Sequence, residues 1–336
     1  MVTRVAINGF GRIGRLTLRA ALESGRKDIE FVAINDLGST EMNALLLQRD
    51  TTHGPLAKRV KATATGINAG NGVMKVFSER DPKNLPWDRL GIDVVLECTG
   101  IFTKRDMAEK HLKAGAKKVL ISAPGTGEDL TVVYGVNDHK LRKSHTVVSN
   151  ASCTTNCLAP VASVMHKAFN IQQGYMTTIH AYTGDQRILD TLHSDPRRAR
   201  AAGQSMIPTS TGAAKAVGLV LPELNGKLDG TSIRVPTPNV SVIDFTFIPK
   251  KKTTVDEVNA AAIKASQSKR LKGILNINEA PLVSCDFNHD PASSTFDVTQ
   301  TQVVDGKLVR VVSWYDNEWG FSNRMLDTAA AMGKLK

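Results

Sequence analysis

Apolar runs typical of buried strands alternate with segments of helical periodicity through the first half of the chain. The successive strand and helix candidates are Val5–Ile7, Arg12–Glu23, Phe31–Ile34, Glu41–Leu47, Val94–Leu96, Lys104–Leu112 and Val119–Ile121. Two further strand candidates, Thr131–Val136 and Thr146–Ser149, extend this pattern. Alternation of this kind predicts a doubly wound parallel sheet with helices on its faces. We therefore expect an α/β domain over residues 1–150.

Long strand-like runs dominate the second half of the chain. The strand candidates are Tyr175–Tyr182, Ser232–Ile248, Leu282–Phe287 and Thr295–Trp314, and the helix candidates are Asn156–Phe169, Gly212–Leu221 and Val255–Ser268. Asp305-Gly306 is a dipeptide typical of a tight hairpin turn and folds the last run back on itself. This half is expected to be an α+β catalytic domain over residues 151–317 with a mixed, largely antiparallel sheet. A helix within 318–336 is expected to pack back on the first domain.

The composition of the chain favours some classes of binding partner over others but does not identify one. The 43 Lys and Arg residues exceed the 32 Asp and Glu residues, which gives a formal charge of +11 and favours anionic partners. Aromatic residues are only 5% and no nucleic-acid-binding motif is present, so nucleic acid is expected to be at most a secondary partner. The longest uncharged stretch, residues 146–165, contains eight Ser, Thr or Asn residues, which argues against a membrane span. Four cysteines are too few for a disulfide scaffold and favour a reducing, cytoplasmic setting.

A glycine-rich segment follows the first predicted strand and begins the first predicted helix. Gly9, Gly11 and Gly14 have the G-x-G-x-x-G spacing of a Rossmann-type dinucleotide site. The first glycine suits a tight turn, the second allows a pyrophosphate to approach the backbone, and the third allows the helix to pack on the sheet. Asp36 follows the next strand pattern, where its carboxylate would accept hydrogen bonds from a ribose diol and repel a 2′-phosphate. The segment therefore predicts binding of NAD in preference to NADP.

A cysteine lies where a predicted strand gives way to a long helix. Ser152 suits the N-cap of that helix and would place Cys153 in the first turn, where the helix dipole lowers a thiol pKa. Cys153 is therefore the candidate nucleophile. Cys157, one turn further on, is expected to serve packing, and no second Cys/His pair supports a metal site. Cys98 and Cys285 are expected to be small buried apolar residues.

His180 is the candidate base for this thiol. It ends the strand pattern Tyr175–Ile179 and precedes a turn rich in hydroxyl and carboxylate groups, at a position where side chains commonly face a cleft. The other histidines, including His111 in a charged predicted helix, are expected to be surface or structural residues. Spacing alone leaves open whether His180 meets Cys153.

Five segments, spread in order along the chain, resemble phosphorylating glyceraldehyde-3-phosphate dehydrogenases of the bacterial or plastid type. They are Ala6–Arg15, Ser149–Asn156, Thr209–Val217, Ile233–Asn239 and Trp314–Gly320. The resemblance implies oxidation of glyceraldehyde 3-phosphate to 1,3-bisphosphoglycerate with NAD and inorganic phosphate, in glycolysis or gluconeogenesis. Cys153 would form a thiohemiacetal and then a thioester, and His180 would take its proton.

The same resemblance implies a role for further residues. The cofactor contacts it implies are Arg12, Ile13, Asp36, Arg80, Ser122 and Asn317, beside the glycines. The substrate phosphate would be held by Thr183 and Arg234. The attacking phosphate would be held by Ser152, Thr154, Thr211 and Gly212, with Arg198 nearby. From the residues alone, Thr211-Gly212 could equally cap the helix that follows.

The family also implies a homotetramer, because the segment that contains Arg198 corresponds to a loop that reaches the neighbouring subunit's cofactor site. Gln186–Asp190 resembles variants of which some use NADP. The alternative activity is that of erythrose-4-phosphate dehydrogenase, which shares the cysteine segment. The Thr209–Lys215 segment favours the glyceraldehyde-phosphate enzyme.

Overall fold

A computed structural model describes residues 2–335 of the protein. The chain forms two compact units. The N-terminal unit comprises the described part of residues 1–134, 138–152 and 322–336, and the C-terminal unit comprises residues 135–137 and 153–321. None of the helices within residues 2–335 combines the length and the apolar character needed to cross a membrane.

The N-terminal unit is built on a nine-stranded, mainly parallel sheet. Its strands are β1 (Thr3–Asn8), β2 (Ile29–Asn35), β3 (Lys61–Thr63), β4 (Gly66–Asn68), β5 (Val73–Phe77), β6 (Val94–Glu97), β7 (Lys118–Ile121), β8 (Leu130–Thr131) and β9 (Val147–Ser149). Its helices are α1 (Arg12–Ser24), α2 (Thr40–Gln48) and α3 (Arg105–Lys113), with 3₁₀ turns at Pro82–Asn84 and Asp138–Lys140.

The strand order of this sheet is β3-β4-β5-β2-β1-β6-β7-β9-β8, and every pairing from β5 to β8 is parallel. Only the β3–β4–β5 edge is antiparallel. The side chains of Val5, Ala6 and Ile7 in the central strand β1 are fully buried, as expected for a strand covered on both faces. The carboxyl ends of β1, β2 and β6 therefore lie side by side, which is where a doubly wound sheet binds its ligand.

The C-terminal unit contains a seven-stranded mixed sheet with helices packed against it. Its helices are α4 (Cys153–Phe169), α5 (Ala213–Val220) and α6 (Val255–Ser266), with 3₁₀ turns at Pro222–Leu224 and Ser284–Phe287. Its strands are β10 (Ile171–Ala181), β11 (Ile207–Ser210), β12 (Leu228–Val235), β13 (Ser241–Pro249), β14 (Leu275–Asn278), β15 (Ser294–Val304) and β16 (Leu308–Tyr315).

The order of this sheet is β11-β12-β10-β13-β16-β15-β14, and four of its six pairings are antiparallel. Buried and half-buried residues alternate along β13, so one face of the strand packs inward. The predicted fold class, a Rossmann-type parallel sheet followed by a mixed and largely antiparallel sheet, is confirmed. The hairpin between β15 and β16 turns at Asp305 and Gly306, which both have positive φ, as the dipeptide predicts.

Helix α7 (Trp319–Lys334) follows the last strand. Most of it belongs to the N-terminal unit, where its Asp327 pairs with Arg26 at 2.5 Å. The Thr328 hydroxyl donates to the Asn150 side-chain oxygen at 2.8 Å. The C-terminal helix is thus fixed to the N-terminal unit by a polar bond and an ion pair.

Two of the predicted strands are wrong or shortened. Within Leu282–Phe287 the chain forms a 3₁₀ turn, because the Asp286 carboxylate accepts the backbone N–H of Val283 at 2.8 Å and Val283 is 58% exposed. Within Thr131–Val136 only Thr131 belongs to a strand, the two-residue β8. The apolar content of both segments is typical of a strand, but neither has a neighbouring strand to pair with along its length.

Candidate active site

The glycine loop between β1 and α1 has the geometry that its sequence predicts. Gly9 has φ +89°, a conformation open mainly to glycine. A Cβ on Gly14 would lie 2.2 Å from the Gly9 carbonyl oxygen, so α1 can pack this closely only on a glycine. A Cβ on Gly11 would meet nothing within 4 Å, which leaves open space in front of the helix N-terminus. An anion can therefore approach the N–H groups at this end of α1.

The Asp36 carboxylate lies beside this loop at the end of β2. Its Oδ2 accepts the backbone N–H of Phe10 at 2.8 Å, and its Oδ1 accepts the N–H of Gly38 at 2.9 Å. These bonds fix the carboxylate against the glycine loop. Oδ1 also accepts Asn43 Nδ2 at 3.4 Å, so Oδ2 is the oxygen that retains a lone pair for a ribose hydroxyl.

Arg12, in the first turn of α1, is oriented by a residue that the sequence did not single out. Its guanidinium pairs with the Asp50 carboxylate through Nη1 and, at 3.3 Å, through Nη2. Burial raises the pKa of Asp50, but the Arg12 guanidinium and the backbone N–H groups of His53 and Thr52 more than offset this and leave the pKa lowered. Asp50 is therefore an anion that holds Arg12 in place.

A cleft of about 490 Å³ lies at the carboxyl ends of β1, β2 and β6. Its lining contains the predicted residues Gly9, Gly11, Asp36 and Arg80, together with Asn8, Asn35, Leu37, Glu79, Cys98, Thr99, Ile101 and Phe102. Ser122 follows β7, and its backbone N–H donates to the Glu97 carbonyl at 2.9 Å. Ile13 lies in the first turn of α1 and is half-buried.

The prediction of a small buried residue is wrong for Cys285 and holds only in part for Cys98. Cys98 is half-buried and lines this cleft, and burial raises the pKa of its thiol to about 12. Cys285 is exposed, because the segment that holds it is the 3₁₀ turn described above. Cys157 is fully buried, and its sulfur lies 3.3 Å from the Ser294 hydroxyl, in line with a packing role.

In the C-terminal unit, Cys153 and His180 meet. Cys153 is the first residue of α4, and its Sγ lies 3.5 Å from His180 Nε2. The His180 Nδ1 lies 2.7 Å from the Ala181 carbonyl oxygen. Nδ1 also lies 3.2 Å from Arg234 Nη1, but the shorter contact is to the carbonyl, which only accepts, so Nδ1 carries the proton and the lone pair of Nε2 faces the thiol. The imidazole is thus oriented to receive the proton of Cys153.

The electrostatics make this pair a neutral thiol and a neutral imidazole at rest. Burial, reinforced by the positive charge of Arg234, lowers the pKa of His180 to about 3. Burial raises the pKa of Cys153. The charge of Arg234 and the N–H groups at the start of α4 act in the opposite direction but do not outweigh burial. The helix N-terminus therefore acts as predicted, while the expected net lowering of the thiol pKa is wrong.

Arg234 lies beside His180 because β10 and β12 are parallel neighbours whose register pairs the two residues. Its Nη1 donates to the Ala181 carbonyl at 3.2 Å and to the Thr183 hydroxyl at 3.4 Å. Its Nε is buried with no partner, and within residues 2–335 no carboxylate pairs with it. Burial lowers the pKa of Arg234. A half-buried guanidinium with a buried, unused donor beside a hydroxyl is a receptor for an anion.

Tyr315 packs against His180 of the Cys153–His180 pair and was not predicted as a site residue. Its hydroxyl bonds to the Thr154 hydroxyl at 2.8 Å and to that of Thr178 at 2.9 Å, and its ring meets the His180 ring edge to face at 5.9 Å. Burial raises the pKa of Tyr315 well above its usual value, so the phenol stays neutral. The Thr154 side chain is accordingly 4% exposed and engaged with Tyr315.

Asn317 is held by a polar relay that starts at the strand carrying His180. The Ala181 N–H donates to the Ser241 hydroxyl at 3.0 Å, and that hydroxyl donates to Asn317 Oδ1 at 2.9 Å. The amide oxygen is thereby occupied, which leaves the Asn317 NH₂ group as the available donor. Ser241 gave no signal in the sequence, because only the pairing of β10 with β13 brings it here.

The remaining predicted phosphate residues are spread over neighbouring segments. The N-cap residue of α5 is Gly212, which has no side chain to cap the helix, and the preceding Thr211 hydroxyl accepts the N–H of Ala213, the first helical residue, at 3.2 Å. Gly212 is exposed, and Thr155 Oγ1 lies 3.4 Å from the Ala213 carbonyl, which brings the starts of α4 and α5 together. Arg198 instead pairs with Asp185 at 2.7 Å. Ser152 directly precedes Cys153 in the chain and is half-buried.

Comparison with known proteins gives matches along the whole chain. The NAD binding domain of glyceraldehyde 3-phosphate dehydrogenase matches residues 3–105, and the C-terminal domain of the same enzyme matches residues 152–317. Glyceraldehyde-3-phosphate dehydrogenase of Xanthobacter flavus is 66% identical over 335 residues, which is 100% of both chains. The corresponding proteins of Cereibacter sphaeroides (62%, 100% of both chains) and Geobacillus stearothermophilus (57%, 98% of both chains) are also similar. The chain belongs to the glyceraldehyde-3-phosphate dehydrogenase family.

Proposed function

We propose that the protein oxidises glyceraldehyde 3-phosphate to 1,3-bisphosphoglycerate with NAD and inorganic phosphate. The observation that carries this proposal is the placement of Arg234. Its buried Nε has no partner, and its Nη1 lies 3.2 Å from the Nδ1 of the histidine that faces Cys153. A thiol, a base and a half-buried guanidinium with an unused donor within one small region suit an aldehyde that carries a phosphate.

The first steps follow from the geometry of the pair. His180 Nε2 takes the proton of Cys153 as Sγ adds to the aldehyde carbon and passes it to the former carbonyl oxygen, which forms a C–S bond and a thiohemiacetal and leaves the imidazole neutral again. His180 then removes the hydroxyl proton of that adduct as its C1 hydride departs, which leaves a thioester on Cys153. NAD, when bound, accepts that hydride. Arg234 and Thr183 hold the substrate phosphate, and the N–H groups at the start of α4 face the developing oxyanion.

Release of the product uses inorganic phosphate. A phosphate oxygen attacks the thioester carbon, the C–S bond breaks, and the thiolate of Cys153 leaves and is reprotonated. The residues proposed to hold this phosphate are Ser152, Thr154, Thr211, Gly212 and Arg198. Because the side chain of Thr154 is engaged by Tyr315, we assign its contact to the backbone N–H.

The glycine loop fits NAD. The open space in front of Gly11 and the close packing at Gly14 leave room for a pyrophosphate at α1, with Arg12, Ile13 and Arg80 around it. Asp36 presents a fixed carboxylate, which suits a ribose diol and repels the 2′-phosphate of NADP. Asn317 would donate to the nicotinamide carboxamide, and Ser122 would add a further contact.

We further propose that the protein acts as a homotetramer in the cytoplasm. Ile188, Leu189, Leu192 and Met206 are between 73% and 91% exposed in the single chain, an apolar surface that a partner subunit would cover. The four cysteines are all free thiols, which suits a reducing compartment. The tetramer predicts a solution mass four times the 36.3 kDa of the chain, and Leu192→Asp should lower that mass.

The test of the activity is an initial-rate assay of NADH formation. Glyceraldehyde 3-phosphate and erythrose 4-phosphate are compared, each with NAD and with NADP, in the presence and absence of phosphate. We expect the highest kcat/KM with glyceraldehyde 3-phosphate, NAD and phosphate together. The proposal is wrong if folded protein produces no NADH under these conditions, or if Cys153→Ala retains full activity.

A further inference from the structure

A buried carboxylate lies behind the dinucleotide cleft at the end of β6. The side chain of Glu97 is fully buried, and four donors point at it. Its Oε2 accepts Asn8 Nδ2 at 2.6 Å and His111 Nε2 at 2.9 Å. Its Oε1 accepts the backbone N–H of Thr99 at 2.8 Å and also the Thr99 hydroxyl. Every partner of the carboxylate is a donor, so Glu97 is held as an anion.

The histidine of this network cannot supply a compensating charge. Trp87 Nε1 only donates, and it lies 3.0 Å from His111 Nδ1, so that ring nitrogen must accept. The proton of His111 is therefore on Nε2, where it is donated to Glu97, and the ring is neutral. Trp87 also stacks on the ring at 6.3 Å, and Phe102 meets it edge to face at 6.3 Å. Within residues 2–335 no Lys or Arg pairs with Glu97.

The network continues from Asn8 toward the ribose side of the cleft. Asn35 Nδ2 donates to Asn8 Oδ1 at 2.7 Å and to the Glu79 carbonyl at 2.9 Å. Asn35 Oδ1 accepts the Glu79 N–H at 2.9 Å. Backbone N–H groups cannot be reversed, so the orientation of both amides is fixed along the chain from Glu79 to Glu97. Asn8 and Asn35 are 1% and 4% exposed.

Three members of this network, Asn8, Asn35 and Glu79, line the cleft, and each is followed in the chain by another lining residue. Asn8 precedes Gly9, Asn35 precedes Asp36, and Glu79 precedes Arg80. Thr99, whose N–H and hydroxyl are both held by Glu97, itself lines the cleft. One buried anion thereby joins the ends of β1, β2 and β6 and the segment that follows β5.

We propose that Glu97, through Asn8, Asn35 and Thr99, is a positioning residue that sets the affinity for the dinucleotide by holding the four walls of the cleft in register before the cofactor binds. This inference rests on the proposed function, because it assumes that the cleft takes NAD. Preorganised walls lower the ordering cost of binding, so their loss weakens binding without changing the reacting groups.

The test is Glu97→Gln in the full-length protein. The amide of the glutamine has an NH₂ group, which would face another hydrogen-bond donor on either side of the side chain. Neither donor can become an acceptor, because Trp87 fixes the tautomer of His111 and the Thr99 N–H belongs to the backbone. We expect the dissociation constant of NAD, measured by titration calorimetry, to rise by about tenfold or more, as for loss of a buried charged hydrogen bond. KM for NAD should rise in parallel, with a much smaller change in kcat at saturating NAD. The KM for the aldehyde should stay constant. A general loosening of the fold would instead raise the KM for the aldehyde as well.

The matched control is Glu30→Gln, which removes the same charge from an exposed pair with Arg4 in the same unit and should leave NAD affinity unaltered. If Glu97→Gln does not fold, Asn35→Ser breaks the bonds to Asn8 and Glu79 while leaving Glu97 in place, and it should also weaken NAD binding. Equal NAD affinity in the unaltered protein and the folded variant overturns this inference alone. Absence of NAD binding by the unaltered protein overturns the proposed function as well.

Discussion

The dinucleotide cleft and the cysteine site satisfy their polar groups in opposite ways. In the cleft, Asp36, Asn35 and Glu97 each use their polar atoms on neighbouring groups of the same unit. At the cysteine site, Arg234 keeps a buried donor without a partner, and both Cys153 and His180 have pKa values displaced by burial. Satisfied groups hold a shape, whereas unsatisfied ones are ready to bind an anion or move a proton. Substitutions in the two regions should therefore alter different kinetic constants.

The largest effect is expected from Cys153→Ala. Without the sulfur no thioester can form, so kcat should fall by a factor on the order of 10⁴ or more. NADH absorbance measures this loss. Because the cleft is built independently of the thiol, the affinity for NAD measured by calorimetry should stay within about twofold. A parallel loss of NAD affinity would mean that the two regions are not separable.

His180→Asn should lower kcat by about 10²- to 10⁴-fold, the usual contribution of a positioned general base. The measurement is the single-turnover rate at saturating NAD and aldehyde. A variant that turns over at the unaltered rate would show that another group takes the thiol proton.

Arg234→Leu should act on the substrate. Removal of this half-buried guanidinium from a phosphate should raise KM for glyceraldehyde 3-phosphate roughly 10- to 100-fold. The matched change Arg234→Lys keeps the positive charge but loses the paired N–H groups with which a guanidinium binds two phosphate oxygens. It should give an intermediate KM. The same variants assayed with unphosphorylated glyceraldehyde should show little change, and a large loss there would contradict phosphate binding by Arg234.

The displaced pKa values predict the reactivity of the resting thiol. Since the pKa of Cys153 is raised and that of His180 lies at about 3, no thiolate–imidazolium pair is present near pH 7. Alkylation of the cofactor-free protein by iodoacetamide should therefore quicken by about tenfold per pH unit up to pH 9. A plateau between pH 6 and 8 would contradict the neutral pair.

The smallest effect is expected from Asp50→Asn in the N-terminal unit. Asp50 reaches the cleft through Arg12, which is partly exposed, so loss of the ion pair should raise KM for NAD by about two- to fivefold. Asp28→Asn, which weakens a different arginine pair of the same unit, serves as the control. An equal rise in both variants would indicate a general loss of stability.

Local sequence patterns predicted those parts of the molecule that depend on local physics. The turn at Gly9, the packing at Gly14 and the start of a helix at Cys153 are each set by a few neighbouring residues. Asp50 and Ser241 were not predicted, because each acts only through strands or loops that are distant in the chain. The raised thiol pKa was missed for the same reason, since burial is a property of the folded unit.

The same limit explains the error over Leu282–Phe287. Its apolar residues resemble a strand, but strand formation requires a partner, and Asp286 closes a local turn instead. His111 illustrates the opposite case: it lies in a helix with many charged residues, yet it is fully buried against Trp87 and Glu97. Its role followed only from the contacts.

The most direct test of the central claim, that Cys153 carries the oxidised substrate as a thioester, is a rapid-mixing experiment without phosphate. NAD and glyceraldehyde 3-phosphate are mixed with the protein, NADH is followed, and the acid-quenched chain is analysed by peptide mass spectrometry. We expect a burst of about one NADH per active site, an acyl adduct on the Cys153 peptide, and discharge of that adduct when phosphate is added. Steady NADH formation with no adduct, or an adduct on a different residue, would contradict it.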